Sequence, residues 1–132
     1  MLDTSTVILL GQISDPTELP DESVISAITL AELSVGPHVA PDDAERSARQ
    51  QHLQQAEADF GVLPFDGDCA RAFGAVAAAL RASGRKPAAR AYDALIAASA
   101  IAHALPLHTC NPADFAGIPR LELRSVTHPD HQ

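Results

Sequence analysis

Ser23-Val24-Ile25-Ser26-Ala27-Ile28, running into Thr29-Leu30-Ala31-Glu32-Leu33-Ser34-Val35 and then Gly36-Pro37, reads as a strand that hands over to a helix with a stop behind it. The first stretch is rich in β-branched side chains, which suit a pleated surface, and the second turns helical before a Gly-Pro breaker. The same alternation continues on either side. Upstream, Met1 to Asp3 ends a short first strand, Ser5 to Leu10 opens a helix that stops near Gly11, and Ile13 to Glu22 is a loop marked by Asp15-Pro16 and Pro20-Asp21. Downstream, Asp42 to Asp59 is a solvent-facing helix and Val62 to Phe65 a second buried strand. Asp66 then caps a helix that runs to about Ser83, with Gly84 as its stop. A loop from Arg85 to Arg90 leads to a strongly apolar helix over Ala91 to Ala104, and Leu105 to Thr109 and Leu121 to Val126 supply two more strands. Strands alternating with helices predict an α/β fold, a three-layer α/β/α sandwich around a mostly parallel sheet. Residues 1–127 read as one domain and 128–132 as a flexible polar tail.

Composition narrows the function. A chain of 132 residues with 46% hydrophobic content suffices for one core, and 4% aromatic residues with no Trp means that core is built mainly from Ala, Leu, Ile and Val. A formal net charge of −8 excludes broad duplex binding, because phosphates would be repelled over most of the surface. Cys69 and Cys110 form no CxxC pair, no leader-like segment is evident, and no apolar run approaches membrane-spanning length. The expectation is a reduced, cytoplasmic protein with no membrane partner.

Asp3, Glu32, Asp93 and Asp114 stand at strand-to-helix junctions or helix starts, among apolar neighbours. In an open parallel sheet those positions share one edge, where ligands bind. Carboxylates gathered beside low-dielectric material call for a cation. Local structure offers competing explanations. Thr29-Leu30-Ala31-Glu32 has the form of a capping box, Asn111-Pro112-Ala113-Asp114 resembles a cap with Pro at its first helical position, and Asp3 could cap the first helix. Asp93, inside Tyr92-Asp93-Ala94-Leu95-Ile96-Ala97-Ala98, has no such excuse beyond a helix dipole worth about 0.3–1 kcal/mol.

Leu2-Asp3-Thr4-Ser5, Ser26 to Leu33, Asp93 to Ala98 and Thr109-Cys110-Asn111-Pro112-Ala113-Asp114-Phe115 together resemble the signature blocks of the PIN domain. Leu63-Pro64-Phe65-Asp66 and Ile118-Pro119-Arg120-Leu121 are similar to the VapC toxins of bacterial toxin–antitoxin pairs. The resemblance implies a metal-dependent endoribonuclease that hydrolyses phosphodiester bonds in RNA, often structured RNA such as transfer RNA. It implies Asp3 and Asp93 as principal ligands of Mg²⁺ or Mn²⁺, with Glu32 and Asp114 completing the acidic quartet, and Thr4, Ser5, Thr29 and Asn111 as hydrogen-bonding supports. A cognate VapB-type antitoxin and a homodimer are implied as partners. Arg81, Arg85, Lys86 and Arg90 precede Asp93 and would hold flanking RNA phosphates, or else merely end a helix and solubilise a loop. Cys110 stands where such toxins commonly carry a basic residue, and Ser5 where Asn is frequent.

Rival chemistries find less support. His38, His52, His103, His108, His128 and His131 make no zinc motif, and no GxSxG, P-loop or GxGxxG occurs. An aspartyl-phosphate domain with Asp3 as nucleophile would need a positioned lysine, and Lys86 is the single one in the chain. A catalytically weak PIN fold that only binds antitoxin or RNA would be expected to lack one of the acids.

Overall fold

The computed structural model describes residues 1–85 and 90–131. Strand β1 (Val24–Ser26) runs parallel to β2 (Gly61–Leu63), and β3 (Leu107–Thr109) runs parallel to β4 (Leu123–Ser125). Leu2 joins the two pairs through single parallel bridges to Ile25 and His108, giving the order β2-β1-Leu2-β3-β4. Among the described residues five α-helices surround the sheet: α1 (Thr4–Leu9), α2 (Ala27–Val35), α3 (Asp43–Asp59), α4 (Gly67–Ala82) and α5 (Ala91–Ala102). None among the described residues is long and apolar enough to cross a membrane.

Pleating divides the core in two. Met1 and Val24 pack with Val76 and Leu80 of α4, Ile96 and Ala97 of α5, Leu107 and Phe115, whereas the next residues, Leu2 and Ile25, face Val7 of α1, Leu33 of α2 and Ala56 of α3. The helices therefore cover both faces of the parallel sheet expected from the sequence. Each fully buried Leu, Ile or Val adds about 1.5–3 kcal/mol. Packing on the faces, more than the short ladders, holds these strands in register.

Two expectations need correction. The Ser23–Ile28 strand stops at Ser26, whose hydroxyl accepts from the Ile28 amide at 3.0 Å and caps α2 three residues before Thr29. The short first strand expected at Met1 to Asp3 consists of the bridges at Leu2. The strand placed at Val62–Phe65 covers Gly61–Leu63 instead and is an edge rather than buried, with Val62 37% exposed; Pro64, lacking an amide hydrogen, ends it. Helix ends behave as the breakers imply. At α4 the Arg85 amide reaches the Leu80 carbonyl and Gly84 reaches Arg81, with Gly84 at φ +80°. The end of α5 repeats this pattern with Ala104 at φ 55°, a left-handed conformation that strains a residue bearing a Cβ. Pro129–His131 forms a short 3-10 turn in the segment expected to be a tail.

Candidate active site

Asp3 follows the Leu2 bridge and caps α1, placing its carboxylate on the sheet edge where β1 and β3 also end. It is 4% exposed, so its charge must be met by hydrogen bonds. Its Oδ1 accepts from the Thr6 amide at 3.2 Å and from the Thr6 hydroxyl; its Oδ2 accepts from Ser5 at 3.0 Å and from Thr109, at the end of β3, at 2.8 Å. Asn111 closes the ring, its Nδ2 donating to the Ser5 hydroxyl at 3.0 Å and its amide to the Thr109 hydroxyl at 2.9 Å. The Cys110 amide donates to Thr6 at 3.0 Å. Cys110 itself is buried, and burial, with Asp3 and Glu18 adding to it, pushes its thiol up, so it contributes a neutral lining beside Asp3.

Glu32 lies further along α2. Because Ser26 rather than Thr29 caps that helix, Glu32 sits in the second turn and the capping-box reading fails. The Thr4 hydroxyl donates to Glu32 Oε1 at 2.6 Å and stands 3.1 Å from that of the buried Thr29, tying α1 to α2. A cleft of about 510 Å³ borders Thr4 and Glu32 and is walled by Ile8, Leu33, Arg49 and His52.

Asp114 lies in the 3-10 turn Pro112–Phe115, which has Pro at its first position as expected, but Asn111 makes no side-chain cap there. The turn is held through its carbonyls: Arg85 donates to Asp114 O at 3.4 Å and to Ala113 O at 3.2 Å. Arg90 Nη1 lies 2.8 Å from Asp114 Oδ1 and 3.8 Å from Asp93 Oδ2. Of the four basic residues expected to form an RNA rim, Arg85 and Arg90 thus engage the acidic edge itself, and Arg81 is exposed in the last turn of α4. Lys86 lies outside the described residues.

Asp93, in the first turn of α5, carries the electrostatic signature of the edge. Burial first, and then the charges of Asp114, Asp3 and Glu32, push its carboxyl up to about 6, with Arg90 opposing. Asp114, Asp3 and Glu32 are therefore each near enough to Asp93 to disfavour its charge. That uncompensated charge and the hard oxygen donors fit a divalent cation. Among the described residues no three acidic, histidine or cysteine side chains are arranged to enclose one ion directly.

Thr6 and Thr109 were not singled out in the sequence. A β-strand position such as Thr109, flanked by buried residues, is where an unexplained hydroxyl signals a polar partner.

A family model described as PIN domain matches residues 1–121. Ribonuclease VapC5 of Mycobacterium tuberculosis is 38% identical over 120 residues, covering 89% of this chain and 86% of that protein. Ribonuclease VapC of Rickettsia bellii is 31% identical over 129 residues, covering 96% of this chain and 95% of that protein. The crystal structure of VapBC-5, a member of the VapBC family of toxin–antitoxin systems from Mycobacterium tuberculosis, contains a chain that superposes with TM-score 0.81 at 36% identity, covering 95% of this chain and 96% of that one. With four carboxylates on one edge of a parallel sheet and agreement along nearly the whole sequence, the chain belongs to the PIN-domain family.

Proposed function

We propose that this protein is a divalent-metal-dependent endoribonuclease, the toxin of a VapBC-type pair, which hydrolyses phosphodiester bonds in RNA and is neutralised by a cognate VapB-type antitoxin. The observation that carries the reading is the gathering of Asp3, Glu32 and Asp114 about the half-buried Asp93 on one edge of the sheet, where burial and those three acids push the Asp93 carboxyl up to about 6, a charge arrangement that a bound cation relieves. Two ribonuclease VapC relatives support the RNA substrate, and the VapBC structure supports the antitoxin.

Asp3, Glu32, Asp93 and Asp114 form the catalytic group. Asp93, whose oxygens are least engaged among the described residues, would hold the ion together with Asp3, and Glu32 and Asp114 would bind through water or a second ion. For Asp3 this requires the Ser5 hydroxyl to turn away from Oδ2, since that carboxylate already accepts four hydrogen bonds. Bound Mg²⁺ or Mn²⁺ supplies a water of lowered pKa and neutralises charge at the scissile phosphate. Thr109, Ser5 and Asn111 orient Asp3, and Thr4 with Thr29 orients Glu32. Arg85 and Arg90 supply positive charge beside the centre for flanking phosphates, and Lys86, next to Arg85 in the sequence, is assigned to the same role. The aspartyl-phosphate alternative loses ground because Asp3 is 4% exposed and fully hydrogen-bonded, a poor nucleophile.

A net charge of −8 favours a basic antitoxin segment, whose association is steered by charge. The same reading carries a cytoplasmic location and a homodimer, the latter measurable by light scattering. The deciding experiment incubates purified protein with structured RNA in Mg²⁺ or Mn²⁺, in EDTA, and as the Asp93→Asn variant. Cleavage that requires metal and disappears in the variant is expected; cleavage that survives both EDTA and the substitution sinks the reading.

A further inference from the structure

We infer that Arg90 is an internal counter-ion that competes with the divalent cation for Asp114. The inference rests on the metal-nuclease reading and adds a regulatory contact to the same site.

Arg90 precedes Ala91 at the N-cap of α5, yet its side chain makes no cap hydrogen bond. A cation at that end of a helix also opposes the macrodipole, so the helix does not explain it. The acids do: its Nη1 stands 2.8 Å from Asp114 Oδ1 and 3.8 Å from Asp93 Oδ2, between two of the carboxylates of the edge. The turn that bears Asp114 does not require this contact. Pro112 begins it, the Asp114 amide donates to Asn111 O at 3.1 Å, and Arg85 holds the Ala113 and Asp114 carbonyls. Arg90 therefore acts on the Asp114 charge and leaves the turn's shape to others.

The pair is also open. The Arg90 and Asp114 side chains are 40% and 37% exposed, and ion pairs at that exposure are weak and exchange readily. A divalent ion outcompetes the single charge once it is present, while in its absence the guanidinium limits repulsion among the acids. Ion binding at this edge consequently carries the penalty of breaking one salt bridge.

Mn²⁺ binding, followed by the electron paramagnetic resonance signal of the free ion, tests this in the wild type, Arg90→Gln, Asp114→Asn and the double variant. Arg90→Gln is expected to bind Mn²⁺ about two- to fivefold tighter, the size of a partly exposed ion pair, and to reach half-maximal RNA cleavage at correspondingly lower metal. In the Asp114→Asn background the gain is expected to shrink, the remainder coming from the 3.8 Å approach of Arg90 to Asp93. Arg90→Lys, which keeps the charge and loses the planar fork, falls between wild type and Arg90→Gln and guards against misfolding of the neutral variant. Unchanged or weaker Mn²⁺ binding by Arg90→Gln, or a gain that persists undiminished without Asp114, overturns the competition alone. Failure of every protein to bind Mn²⁺ overturns the metal reading, and this inference with it.

Discussion

Replacing Asp93 by Asn should make the protein more stable while it abolishes cleavage. The folded-state carboxyl is pushed up to about 6 from its ordinary 3.8, because burial and then Asp114, Asp3 and Glu32 disfavour its charge. A raised acid binds more protons folded than unfolded, so stability falls as pH climbs from the unfolded value through the folded one and is level above it. At 1.36 kcal/mol per unit the shift corresponds to at most about 3 kcal/mol at neutral pH. Asp93 is 32% exposed at its side chain, and solvent screening reduces the working figure to about 1–2 kcal/mol. For a chain of this size that is roughly 4–8 °C in Tm. Thermal unfolding in EDTA should therefore show Asp93→Asn melting higher than wild type at about pH 8, with most of the gap closing by about pH 4. Mg²⁺ should then raise the wild-type Tm more than that of the variant. A variant that melts at or below wild type at the higher pH, or a gap that does not shrink on acidification, refutes the electrostatic account.

Thr109→Val removes the donor to Asp3 Oδ2 and the acceptor for the Asn111 amide, leaving buried polar groups unpaired. It should cost about 1–3 kcal/mol in urea unfolding and lower metal affinity about 10- to 100-fold in a Mn²⁺ titration. Ala104→Gly relieves the left-handed backbone at φ 55° and should raise stability by up to about 1 kcal/mol without altering cleavage, read by calorimetry and an RNA assay. Ile96→Ala, at a position with no exposure between α4 and the sheet, should cost about 2–5 kcal/mol in chemical denaturation.

The order of strands and helices is readable from the chain because strong breakers stand where the periodicity changes: Gly36-Pro37 behind α2, Asp66 before α4 and Gly84 after it. The start of α2 is not readable, since Ser26 and Thr29 are both competent caps. What decides between them is tertiary: a helix starting at Ala27 buries Thr29 against the Thr4 hydroxyl, a contact made with a residue 25 positions away. The exposed edge at Gly61–Leu63 is hidden for a related reason, because an apolar run looks the same on an edge strand and in the middle of a sheet.

At the site, the acids are legible and their separate duties are not. A carboxylate among apolar neighbours demands an explanation, which is why Asp3, Glu32, Asp93 and Asp114 stand out at once. Whether each is absorbed by local structure depends on partners the sequence does not put side by side. Asp3 is both a helix cap and the centre of a hydroxyl network reaching 106 residues along the chain to Thr109. Glu32, which looked like half of a capping box, is released by the earlier helix start, and Asp114 meets Arg90 across 24 residues. Asp93 has neither a cap to make nor a hydroxyl to satisfy it among the described residues, its one ion-pair partner Arg90 stands off at 3.8 Å, and burial and its acidic neighbours push its carboxyl up. The acid with the least structural reason to be there is therefore the one on which the functional reading depends most.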